Sequence, residues 1–73
     1  MSGYLVVIEH EGASWGAYCP DLPGLGVVGD TREEVERSIR EAISFHLDGL
    51  RRSGDAVPAP IAVAATSFHV PAT

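Results

Sequence analysis

The chain has 73 residues, a formal net charge of −5 at pH 7, one cysteine and no lysine. That length makes a single domain, 1–73, and a chain so short hides only about 60–65% of its unfolded surface, so it needs a disulfide, a metal or association to be robust. One cysteine excludes an internal disulfide and fits a reducing cytoplasm, the N-terminal apolar run is too short for a signal or a membrane span, and the acidic balance argues against nucleic-acid binding.

Residues 4–11 read as a first strand of aromatic and β-branched side chains that ends as charge appears. Its two alternating sets, Tyr4/Val6/Ile8 and Leu5/Val7, are both apolar, so both faces of the sheet ask for cover. Gly12-Ala13-Ser14 has the length of a hairpin loop, and residues 15–19 return as a second strand carrying Trp15 and Tyr18. Cys19, directly before Pro20, lacks the helix N-terminus that would activate a thiol and reads as a small buried apolar residue.

The run PDLPGLGVVGDTREE, residues 20–34, writes out a loop, a strand, a turn and a helix start. Pro20 and Pro23 stiffen the loop around Asp21, and Gly24 after Pro23 can take positive φ, so Leu22-Pro23-Gly24 reads as a type II-like turn. Residues 25–28 form a third strand of a meander. Gly29-Asp30-Thr31 ends it, and Thr31 with Glu34 makes the T-x-x-E capping box.

A helix follows over residues 32–53. Val35, Ile39, Ala42, Ile43, His46, Leu47 and Leu50 recur at helical spacing on one face. Glu33–Arg37, Glu36–Arg40 and Asp48–Arg52 are i,i+4 pairs with the acid first, each worth about 0.3–0.5 kcal/mol. All five arginines lie in this helix with five acids, so the net negative charge resides on Glu9, Glu11, Asp21, Asp30 and Asp55 in strands and loops. Gly54 fits the position just past the helix, Pro58-Ala59-Pro60 is a stiff extended connector, and residues 61–70 read as a last strand stopped by Pro71.

The order is thus β-β-β-α-β, an α+β domain. It combines an antiparallel three-stranded meander, a parallel fourth strand reached by a helical crossover, and one helix packed on one face. A single helix cannot cover both faces, and an exposed apolar face in so small a domain predicts a homodimer or higher homo-oligomer.

No catalytic, cofactor-binding or metal-ligating set emerges. His10, His46 and His69 lack ligand spacing. Glu9, Asp21 and Glu34 could be imagined around a divalent ion for nuclease chemistry, but Asp21 is explained as a turn residue and Glu34 as a capping partner. The glycines follow no phosphate-binding pattern, and Trp15 and Tyr18 have no basic neighbours with which to hold nucleic acid.

The chain resembles the HicB-like antitoxin family. The residues that carry the likeness are the aromatic-led strand Tyr4-Leu5-Val6-Val7-Ile8-Glu9, the Trp15-Gly16-Ala17-Tyr18-Cys19 strand, and the PDLPG loop. After them come the GDT turn with its acidic helix start, Glu41-Ala42-Ile43, Gly54 and Pro58-Ala59-Pro60. The resemblance implies a partial ribonuclease H-like fold and a non-enzymatic antitoxin of a type II toxin–antitoxin system. Such a protein binds and occludes a small basic HicA-type toxin that cleaves mRNA. Glu9, Glu11, Asp21, Leu22 and Pro23 are the candidate toxin contacts. Pro20, Asp21, Pro23, Gly24, Gly29, Asp30, Thr31 and Glu34 are the structural motif. Many members of that family carry a C-terminal DNA-binding segment that this sequence lacks, so toxin neutralisation without autorepression is the expectation, alongside no direct binding to nucleic acid, for want of a basic stripe, and none to membrane. An oligomeric interaction domain with no toxin partner is the alternative, and a metal-dependent nuclease is a third reading.

Overall fold

The computed structural model describes residues 3–71. Three strands, β1 (Val7–Glu11), β2 (Ser14–Tyr18) and β3 (Gly26–Gly29), form one antiparallel sheet in the order β1-β2-β3, and the helix α1 (Arg32–Ser53) follows.

The turns set the register. Gly12 has φ 61°, the left-handed first position of a two-residue II′-type hairpin, so Glu11 pairs Ser14 and the loop is one residue shorter than expected. Gly24 has φ 82°, and the Leu25 N–H donates to the Leu22 carbonyl at 3.2 Å, closing the expected type II turn with Pro23 at its second position. β1 begins three residues later than the sequence suggests. Val7 pairs Tyr18, and beyond that pair the chain of β2 turns away at Cys19-Pro20, leaving residues 4–6 without a partner strand.

The helix matches its expected bounds, and both caps form. The Glu34 N–H donates to the Thr31 hydroxyl at 3.1 Å. The Glu34 carboxylate reaches back to the Asp30 N–H at 3.4 Å, one residue before the position that a capping box engages. At the other end Gly54 takes φ 75°, its N–H donates to the Arg51 carbonyl, and the Asp55 N–H reaches Leu50 at 2.9 Å, the paired bonds of a Schellman motif. The expected acid-first pairs do not form. Instead Arg32 pairs Glu36 at 2.7 Å and Arg51 pairs Asp48 at 3.3 Å, both well exposed and each worth only tenths of a kcal/mol.

The core lies between the sheet and the helix. Ala17, Val35 and Ile39 are buried, with Val6, Ile8, Trp15, Leu25, Val27 and Ile43 packed around them. Each large aliphatic fully covered here contributes about 1.5–3 kcal/mol. Gly29 permits this approach: a Cβ there would lie 3.1 Å from Val35 Cγ1 and from the Glu34 carboxyl carbon.

The expected parallel fourth strand is not formed within this chain. Residues 55–71 carry neither helix nor strand. The segment is rooted beside the sheet: the Tyr4 hydroxyl donates to the Pro58 carbonyl, and the N–H groups of Ile61 and Ala62 both donate to the Asp21 carboxylate at 3.1 Å. Those two amides are thereby occupied and contribute nothing to a ladder. Beyond that root the segment runs into solvent, with Ile61, Val63, Phe68 and Val70 each more than three-quarters exposed. The radius of gyration, 14.3 Å, accordingly exceeds the ~11 Å of a compact chain of this length.

Candidate functional site

Pairing and pleat decide which side chains share a face. Ile8, Trp15, Ala17 and Val27 point to the helix, and their neighbours along each strand point the other way. Glu9 stands opposite Gly16, which stands opposite Val28, while Val7, Tyr18 and Gly26 form the next row. The outer row is completed by Glu11 opposite Ser14.

Two of the central positions on this open face are glycines, so the sheet carries a shallow trough of about 320 Å³ walled by Glu9, Tyr18 and Val28. Val28 is 83% exposed and Tyr18 41% exposed, which makes them apolar rims without cover. Glu9 and Glu11 are exposed on the same face, and every arginine of the chain lies in the helix on the opposite side. The face is therefore anionic with an apolar centre. Such a surface attracts a cationic partner and gives it something to bury.

The loop residues divide by role. Leu22 is 1% exposed and packs inward, and Asp21 tethers the C-terminal segment, so both hold the loop from within. Pro23 is exposed at the turn's corner. Glu34, Thr31, Asp30, Gly29 and Gly24 all act in the turns and the cap described above. Cys19 is buried as a free thiol beneath the same loop.

Sequence reasoning passed over Phe45, which is 81% exposed on the helix and borders a shallow apolar groove with Leu25, His46 and Leu50. Its place outside the main apolar periodicity is the signal that could have found it. His10 and Trp15 stack face to face at 3.9 Å across β1 and β2, which accounts for both rings without a ligand. Among the described residues no three His, Cys, Asp or Glu side chains converge to hold a metal ion, and no helix is long and apolar enough to cross a membrane.

A family model for a HicB-like antitoxin of a bacterial toxin–antitoxin system matches residues 4–70. An uncharacterized 14.9 kDa protein of the rep-hol intergenic region of Haemophilus phage HP1 is 34% identical over 55 residues, covering 75% of this chain and 41% of the phage protein. The UPF0150 protein ssr1765 of Synechocystis is 38% identical over 56 residues, covering 75% of this chain and 71% of that protein. This chain thus spans less than half the length of the phage relative. No solved structure matches.

Proposed function

This chain belongs to the HicB-like antitoxin family of bacterial toxin–antitoxin systems, and from that premise we propose that it neutralises a small, basic, HicA-type ribonuclease by covering it. The observation that carries this reading is the open sheet face, where Glu9 and Glu11 flank a glycine trough rimmed by Tyr18 and Val28, with no cationic residue on that side. An RNA-cleaving toxin must present cations to phosphates. An acidic, partly apolar surface competes for those same cations and excludes the substrate.

Glu9 and Glu11 are the proposed charge contacts. The loop that Asp21 and Leu22 hold in shape, presented through Pro23, is the proposed rim. The chain acts by binding and not by catalysis. Its sole cysteine, free and buried, suits a cytoplasmic setting. The β-β-β-α order supports a partial ribonuclease H-like architecture that a fourth, parallel strand would complete. Self-association as a homodimer or higher oligomer is proposed from the uncovered apolar side chains at Ile61, Val63 and Phe68.

The test is co-expression of this chain with any short basic protein encoded beside it. Growth rescue together with co-purification supports the antitoxin. A toxic neighbour that the chain neither binds nor silences would overturn the reading and favour an interaction domain without a toxin partner.

A further inference from the structure

Helix α1 lies over β2 and β3 more than over β1, and this leaves a groove of about 460 Å³ along the outer edge of the sheet. Val6 and Ile8 line it on the sheet side and Ile39 and Ile43 on the helix side, with Tyr4 at one end and the polar side chains of Glu36, Arg40 and Ser44 along the helix rim. The strand order puts β1 at an edge, so its outward N–H and C=O groups have no partner strand. β1 offers an unpaired edge of five residues with residues 4–6 leading into it, and β3 one of four. An unpaired edge beside a partly apolar groove can seat a further strand.

The same chain carries a segment without a seat. Residues 61–70 form neither helix nor strand and are exposed except at Ala62; they are rich in β-branched and small residues, and a period of two would place Ile61, Val63 and Ala65 on one side and Phe68 and Val70 on the other. The chain's own edge is closed to this arm at its root, because the N–H groups of Ile61 and Ala62 are held by Asp21 in the β2–β3 loop. The arm therefore leaves the body that made it. The molecule is 49 Å long against 26 and 21 Å across, while the 22-residue helix by itself accounts for about 33 Å.

We propose that residues 63–70, rooted at Asp21 through Ile61 and Ala62, are an exchanged arm: in a homodimer each chain lays this segment as a fourth strand along the β1 edge of the other and seats apolar side chains in the groove between Ile39, Ile43, Val6 and Ile8. Seating is reciprocal, so two eight-residue arms are buried at once, and backbone pairing covers the β1 edge of each chain. Strand addition at an edge leaves the open face with Glu9 and Glu11 free, so the dimer and the toxin use different surfaces. The inference rests on the self-association proposed above and not on the toxin, so it is tested with this chain alone.

The experiment mixes isotope-labelled and unlabelled chains, refolds them together, and records filtered nuclear Overhauser contacts alongside the mass from light scattering. Expected are a dimer and contacts between chains linking Val63 or Phe68 with Val6, Ile8 or Ile43. The double substitution Val63→Asp with Phe68→Asp should raise the dimer dissociation constant at least about a hundredfold while helix content stays unchanged, since both residues are solvent-exposed in the single chain. A monomer at NMR concentration overturns the proposal. So does a dimer in which those contacts arise only within one chain, or one that the double substitution leaves intact.

Discussion

The Asp21 carboxylate accepts the backbone N–H of Ile61 at 3.1 Å across forty residues of sequence, and the N–H of Ala62 at the same distance. One turn residue thereby fixes where the C-terminal segment departs. Asp21→Ala should lower stability by about 1 kcal/mol, the usual net worth of such bonds near a surface, and Asp21→Asn by less because an acceptor remains. Urea unfolding measures the first effect. Amide exchange at Ile61 and Ala62 should accelerate in Asp21→Ala, and unchanged exchange there would show that the tether is not formed.

Gly29 is needed for space. Its missing Cβ would sit 3.1 Å from Val35 Cγ1, and Val35 is wholly buried with nowhere to retreat. Gly29→Ala should therefore cost about 1–3 kcal/mol, as overpacking does. By contrast Gly16 has only ordinary contact ahead of an added Cβ, 3.4 Å to the Val27 carbonyl, and no positive φ. Gly16→Ala should be neutral or stabilising by up to about 1 kcal/mol. Thermal unfolding of the two variants side by side separates the roles.

The helix ends offer a matched pair. Thr31→Ala removes the acceptor of the Glu34 N–H and should cost about 1 kcal/mol. Gly54→Ala forces a side chain into φ 75° and should cost about the same. Both losses should appear in chemical denaturation without changing the slope against denaturant, because neither alters the surface exposed on unfolding.

Charge on the open face should govern toxin capture and leave the fold alone. Glu9→Lys with Glu11→Lys should weaken toxin binding by at least about tenfold and lower the association rate most at low salt. Unfolding should change by no more than about 0.5 kcal/mol, as for exposed substitutions elsewhere. Binding that persists at wild-type strength across a salt series would move the interface to another surface.

Local instructions were legible wherever chain neighbours suffice to execute them. Pro23-Gly24, Thr31 with Glu34, and Gly54 each specify a turn or cap through φ preference and short-range hydrogen bonds, and the structure forms all three. Each apolar position read on the helix proves buried or half-buried, because helical spacing alone decides which side chains share a face. The candidate site was legible only in part. Glu9 and Glu11 follow from charge, but their companionship with Tyr18 and Val28 depends on strand register, which pairing across β2 establishes. Leu22 and Asp21 look like surface loop residues in the sequence. The fold turns the first inward and gives the second a partner forty positions away.

The family, the order of three strands and a helix, and the turns that join them are all written in the residue pattern, since those depend on contacts a few residues long. Tertiary structure decided the fate of residues 61–70. Their composition is that of a strand, yet a strand needs an edge with free partners. Asp21 holds the first amides of the segment, and the helix sits away from β1. An apolar-rich segment and a partly apolar groove therefore remain apart in one chain, because long-range geometry, and not local preference, sets which edge a strand can reach.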